Sequence, residues 1–277
     1  MIGDVVLEQP PLRLKHCRHG PFLYFASDAY VGRSLDLYGE YSEGEIALLP
    51  RFVQPGQTVL DLGANIGCHT VAMAKIVGAG GTVVAFEPQR IVFQILCANV
   101  ALNGLMNVHA HCAAIGRQPG RILVPPIDYG RTNNFGGLSL GEWQKGETVP
   151  VATVDMLALK ECHFIKIDIE GMEGDALAGA AATIARARPL LYVENDRPDK
   201  SAALVDQLFM LGYRVYWHTP PLYAPDNFFA RGDNVFGPVR SFNVLCIPRE
   251  RQDITLDLTE VRSSAEPHPA LTPPPAR

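Results

Sequence analysis

The segment 166–173, KIDIEGME, places Asp168, Glu170 and Glu173 within one short stretch, and Glu194 and Asn195 follow in a second, VEND. Carboxylates this close raise one another's pKa, which suits a general base, or they gather around a cation. Glu170 and Glu173 also have a local reading, because acids favour a helix N-terminus and Gly171 permits the turn before it. Upstream, Asp61, Gly63, Asn65 and Gly67 in DLGANIG and Glu87 and Pro88 in VVAFEPQ form a second constellation.

The glycine loop fails the dinucleotide pattern. Positions one, three and six of that fingerprint fall on Gly63, Asn65 and Cys68, so two of the three glycines are missing. The second glycine lets backbone approach a pyrophosphate, and Asp61 at the strand end would repel one. A ligand with an ammonium and no phosphate reverses both objections, and S-adenosylmethionine is such a ligand. Glu87, 26 residues after Asp61, lies near the spacing of roughly 20 expected of an acid that accepts from ribose hydroxyls.

These residues need a sheet to hold them. Short β-branched runs at 58–62, 82–86, 108–113, 164–168, 190–194, 213–217 and 242–247 read as seven strands. Helical patterns near 67–77, 91–103, 154–160, 172–186 and 199–211 alternate with them, which predicts a doubly wound, mostly parallel α/β sheet. The final two strands are joined by a long loop rather than a helix, so one of them is expected to run antiparallel. The uncharged stretch 91–108 is read as an amphipathic helix and not a membrane span, because Asn99, Asn103 and Asn107 recur every four residues. Residues 117–150, rich in Gly, Pro and Asn, interrupt the rhythm where ligands bind in open α/β sheets. They are either a substrate lid carrying Asn133, Asn134 and Phe135 or a β-hairpin ornament.

Composition narrows the classes further. A chain of 277 residues, 47% apolar, buries one sizeable α/β core. A net charge of −5 gives no basic stripe, so nucleic acid is not the expected partner. Six cysteines without a C-x-x-C pair read as buried thiols in a reducing cytoplasm, and no secretory leader is visible at the N-terminus. His16, Cys17 and His19 lack a second pair at ligand spacing and are expected to be ordinary polar residues. His69 is expected to pack or cap rather than to act as a base.

YGEYSEGEIALL, VLDLGANIGCHTVAMAK, VVAFEPQ, NNFGGLSL, IKIDIEGMEGDALAGA, LLYVEND and FNVLCIPRE, in order from about residue 38 to 250, resemble the FkbM family of S-adenosylmethionine-dependent methyltransferases. The resemblance implies a class I methyltransferase (Rossmann-like) fold of seven strands in the order 3-2-1-4-5-7-6, the seventh antiparallel, with helices on both faces. It implies O-methylation of a hydroxyl on a sugar, glycan or other small natural product. Matched onto this chain, Asp61, Gly63, Asn65, Gly67, Glu87 and Pro88 fall in the cofactor motif, and Tyr41, Ser42 and Glu45 in the stretch that closes over the cofactor. Ser42 and Glu45 also fit a capping box.

Asp168, Glu170, Glu194 and Asn195 are the candidate catalytic residues. Asp168, Glu194 and Asn195 together resemble the acid, acid, amide set of catechol-type methyltransferases, which would admit Mg²⁺; a metal-free base is the preferred reading. The expected organisation is an N-terminal segment and cofactor lid at 1–41, a methyltransferase domain at 42–250 with the insertion at 117–150, and a disordered Pro-rich tail at 251–277. The acceptor and the oligomeric state are left open. Two other functions stay open too, a cofactor-fold module without activity and a nicotinamide-dependent oxidoreductase.

Overall fold

The structure, a computed structural model, describes residues 3–141 and 143–271. The chain begins with an antiparallel meander, β1 (Val5–Gln9), β2 (Leu12–Cys17) and β3 (Gly20–Phe25), followed by α1 (Val31–Tyr38) and the single turn α2 (Glu43–Ile46). Then come β4 (Thr58–Leu62), α3 (Cys68–Val77), β5 (Thr82–Phe86), α4 (Arg90–Leu102) and β6 (Val108–His111). β7 (Ala114–Ile115), just before the insertion, joins β8 (Gly120–Val124) and β9 (Glu147–Ala152) in a small second sheet in the order β7-β9-β8. The chain continues through β10 (Phe164–Ile167), α5 (Glu173–Ala178), α6 (Ala181–Ala187), β11 (Leu190–Glu194), α7 (Pro198–Met210), β12 (Tyr213–His218), β13 (Asn243–Pro248) and β14 (Thr259–Val261).

The main sheet has the order β14-β12-β13-β11-β10-β4-β5-β6, with β13 antiparallel to both neighbours. Without β14 this is the expected order. The expected seven strands are therefore corrected to eight, and the tail is not structureless where it is described. β14 pairs with β12, and His268 is buried against Trp217 and Phe242 at ring separations of 4.9 and 5.2 Å. Residues 272–277 of the expected tail lie outside the described residues.

Strand alternation divides the interior in two. Leu60, Leu62, Ile165, Ile167, Leu191 and Val193 pack on one face with α5, α6 and α7, while Val59, Phe164, Leu190 and Leu245 pack on the other with α3. On that second face the register Asp61–Lys166–Tyr192 runs as a polar row across three strands, toward the ends where the site lies.

Three local expectations change. The helix expected at 154–160 is only a 3-10 turn, Asp155–Leu157, because Ala158 turns left-handed and Asp155 instead accepts from the Ala182 and Thr183 amides at the start of α6. The helix expected at 172–186 breaks at Gly179, where a Cβ would lie 2.1 Å from the Gly116 carbonyl oxygen. The asparagine stripe does not face solvent. Asn99 is fully buried and pairs with both backbone groups of Leu23, so it staples the N-terminal meander to α4. Four of the cysteines are buried, but Cys97 is exposed on α4 and Cys112 is half-buried. No helix among the described residues is long and apolar enough to cross a membrane.

Candidate functional site

A cavity of about 290 Å³ opens at the carboxyl ends of β4, β5, β10 and β11. Its first wall is the β4–α3 turn. Gly63, at φ 82°, is required by the protein itself, since a Cβ there would stand 1.7 Å from the carbonyl oxygen of Asp168. Asn65 adopts the left-handed conformation at φ 50°, one that asparagine tolerates better than most side chains. Its amide donates to Glu87 Oε2 at 3.0 Å, and its own Oδ1 accepts from the Ile66 amide at 2.7 Å. Glu87 is buried, and its Oε1 accepts from the Gln89 amide at 2.9 Å. Burial pushes this carboxyl up to about 7 against the pull of the two amides, with the Asp61 and Asp168 charges adding to the rise.

Two of the glycine-motif residues stand behind this wall rather than on it. Asp61 is fully buried, accepts from Thr70 Oγ1 at 2.6 Å and lies 3.6 Å from Lys166 Nζ. It does not line the cavity, so its expected direct attraction of a ligand ammonium is corrected. Gly67 opens α3 at φ 94°, and a Cβ there would meet Leu96 at 2.6 Å, so its role is close packing of α3 on α4.

The second wall comes from α2 and the 219–242 loop. Tyr41, Glu45 and His69 line it, whereas Ser42 sits one layer back. The expected capping box is absent. Ser42 is left-handed, and its hydroxyl donates to Glu45 Oε1 at 2.5 Å instead of accepting from the Glu45 amide. Ser241, 196 residues away, donates to the same oxygen at 2.5 Å. His69 Nε2 stands 3.3 Å from Glu45 Oε2. Burial alone would raise the Glu45 carboxyl, but His69, Ser241 and Ser42 hold it down at about 2.

The far end is acidic. Asp168, Glu170 and Glu194 each offer an oxygen within 4.8 Å of the others. Lys166, buried in β10, donates to Asp168 Oδ2 at 2.9 Å, and Arg197 donates to Glu170 Oε2 at 2.9 Å. Burial and the neighbouring Asp168 and Asp196 charges push Glu170 up to about 7 against the pull of Arg197. Burial, then Asp168 and Glu170, drive Glu194 well above the usual carboxylate range, and its Oε2 has no hydrogen-bond partner among the described residues. Asn195 does not join this group. Its side chain donates to Ser201 Oγ at 2.9 Å, because consecutive residues at a strand end point to opposite sides and Glu194 takes the cavity side. Asp196 lines the cavity in its place. Glu173 accepts from the Ile169 and Gly171 amides and stays off the cavity wall.

The insertion forms the hairpin that its sequence allowed, and of the three residues expected on a lid only Asn134 reaches the cavity. β8 and β9 form the hairpin, and the loop between them lays Asn134, Gly136, Gly137, Leu138 and Leu140 on the cavity. Asn133 does not reach it. Asn133 forms an isolated bridge with Asp28, and Phe135 is buried against Phe25 and Tyr129 because an apolar ring gains more from that cluster than from a wet pocket. Gln89 fastens the loop, donating to the Phe135 carbonyl at 2.7 Å. Lys166, Asp196, Ser241 and Asn243 were not singled out from the sequence. Lys166 carries a signal, an ionisable residue inside an apolar strand two positions before Asp168; Ser241 and Asn243 carry none.

A search of curated proteins finds no match. Among solved structures, the chain is similar to an FkbM methyltransferase from Methylobacillus flagellatus at 17% identity and a TM-score of 0.46, covering 72% of this chain and 50% of that one. It therefore spans half the length of that protein. It is also similar to a precorrin-6y C5,15-methyltransferase from Geobacter metallireducens (12% identity, TM-score 0.48, covering 73% and 87%) and to a putative rRNA methylase from Clostridium thermocellum (12%, 0.40, covering 75% and 96%). Such likenesses do not separate small-molecule from nucleic-acid acceptors, so the expected exclusion of nucleic acid gains no support from them. The model of the methyltransferase FkbM domain matches residues 61–215, more than half of the sequence. With the sheet order and the glycine turn described above, this chain belongs to the FkbM methyltransferase family.

Proposed function

We propose that this protein transfers the methyl group of S-adenosylmethionine to a hydroxyl of a sugar, glycan or other small natural product. The observation that carries this reading is one continuous cavity joining the 63–65 turn and Glu87 at one end to Asp168, Glu170 and Glu194 at the other. The residues fit the cofactor. Gly63 and Ala64 carry no bulky side chain and leave the lining open to its amino-acid tail, and Glu87 retains lone pairs on both oxygens for ribose hydroxyls beside Pro88. Glu45, the ionised carboxylate on the lining, takes the place expected of Asp61 in facing the tail's ammonium, with Tyr41 closing the same wall.

The cofactor supplies an electrophilic methyl on a sulfonium. The protein must hold the acceptor oxygen in line and receive its proton. Asp168 receives it, because Lys166 fixes Oδ2 and leaves Oδ1 to accept the proton as the new carbon–oxygen bond forms. Lys166 and Arg197 already neutralise Asp168 and Glu170, and Asn195 is turned away. A metal-free base is therefore the reading adopted.

The test uses labelled cofactor with a panel of glycans and polyketides. Asp168→Asn is expected to reduce turnover by roughly 10² or more while leaving cofactor affinity within about twofold. Wild-type turnover in this variant would remove Asp168 from the chemistry. Binding of a nicotinamide cofactor in place of S-adenosylmethionine, or cofactor binding with no turnover on any acceptor, would favour the oxidoreductase or the silent module.

A further inference from the structure

Four carboxylates, Asp168, Glu170, Glu194 and Asp196, line the acceptor end of the cavity. The two cations beside them are already committed. Lys166 lies between Asp168 and Asp61, at 2.9 and 3.6 Å, and Arg197 lies 2.9 Å from Glu170 and 3.7 Å from Asp196. Arg240, the other basic side chain besides Lys166 and His69 on the lining, is solvent-exposed. Among the described residues Glu194 has no cation of its own, and its Oε2 is shut off from solvent without a donor. A buried acceptor without a protein partner takes its donor from an ordered water or from a bound ligand. A ligand in the cavity that supplies it must bring N–H or O–H groups rather than further negative charge.

We propose that the acceptor carries an ammonium group, as an amino sugar does, which docks on Glu194 and Asp196 while its neighbouring hydroxyl meets Asp168. This rests on the methyltransferase reading above. An ammonium brings three donors and a positive charge to the one carboxyl that has neither. A phosphate, a carboxylate or a nucleic-acid backbone would add negative charge to a group of acids that already exceeds its cations. The same end is walled by Phe242, Leu138 and Leu140, apolar surfaces suited to the carbon face of a sugar ring.

Calorimetry on the full chain tests this, after saturation with S-adenosylhomocysteine to fill the cofactor half. The probes are glucosamine, N-acetylglucosamine, glucose and glucose 6-phosphate. Glucosamine is expected to bind at least about tenfold more tightly than N-acetylglucosamine, which loses the charge but keeps the ring, and glucose 6-phosphate more weakly than glucose. Glu194→Gln should erase the amine preference without changing S-adenosylhomocysteine affinity or lowering the melting temperature. Equal affinity for the amine and its acetylated form, no amine binding, or a preference that survives in Glu194→Gln would overturn the proposal. So would Mn²⁺ binding that Glu194→Gln abolishes, because the acids would then hold a metal. If S-adenosylhomocysteine itself fails to bind, the methyltransferase reading falls instead.

Discussion

The two ends of the cavity treat their carboxylates in opposite ways. At the cofactor end, Glu87 is fixed by two backbone amides and Glu45 by two serine hydroxyls, so each acid is oriented by the protein before any ligand arrives. At the acceptor end, the Oε2 of the half-buried Glu194 is shut off from solvent without a hydrogen bond from any described residue, and its neighbours are acids. The first end is held in place by the protein's own hydrogen bonds. The second gathers acids whose repulsion the protein's own cations only partly offset, and on the reading proposed above an acceptor would relieve the rest.

The contrast can be broken from either side. The largest effect is expected at the ordered end: Glu87→Ala should weaken binding of S-adenosylmethionine or its demethylated product by at least about tenfold, since a hydrogen-bonding charged group is worth about 1.5–3 kcal/mol. Calorimetry giving equal affinities would remove Glu87 from the cofactor. A smaller change is expected where the insertion touches the acidic end. Arg197 donates both to Glu170 and to Ser139 Oγ at 2.9 Å, bridging the loop between β8 and β9 to the end of β10. Ser139→Ala should therefore speed tryptic cleavage at Arg131 and Lys145 in that loop several-fold, with global melting unchanged. An unaltered digestion rate would show that the bridge does not hold the loop.

The smallest effect is one of stability. Glu170, at about 7, and Glu194, raised in the same direction, titrate above the roughly 4.3 of an unfolded glutamate. The native state therefore binds more protons than the unfolded chain above about pH 4.5, and stability falls as pH rises through this window toward 7 and beyond. Glu194→Gln should recover about 1 kcal/mol at pH 8, roughly 2–4 °C in melting temperature, and almost nothing at pH 4.5. A variant that melts below wild type at pH 8 would show that the Glu194 carboxylate is not a cost.

The central strands were legible because each is a short β-branched run between turn residues, and parallel pairing follows from the helices between them. The meander at the N-terminus was not. β2, LRLKHC, mixes cations with leucines, and its neighbour β3 is tied to α4 by Asn99, 76 residues after Leu23. The turn residues at 63, 65 and 87 were readable from local chemistry, yet the reason for Gly63 is a backbone oxygen more than a hundred residues away. Asn195 was placed on the wrong side of its strand although alternation after Glu194 held the answer. Ser241 lay beyond reach, since nothing in a loop sequence announces a partner 196 residues earlier.

The short strand β14 bears on how the molecule behaves in a crowded solution. Without it, β12, which carries Tyr216 and Trp217, would be a six-residue edge strand with the outward amides and carbonyls of alternate residues unpaired at the rim of the sheet. Such a rim invites a second chain to add itself as a strand. With β14 in place the outermost strand on that side has three residues, and β6 on the opposite side has four. Neither offers a long template. The segment that follows β13 thus covers an edge open to strand-to-strand association, and trimming it is expected to be felt first as precipitation.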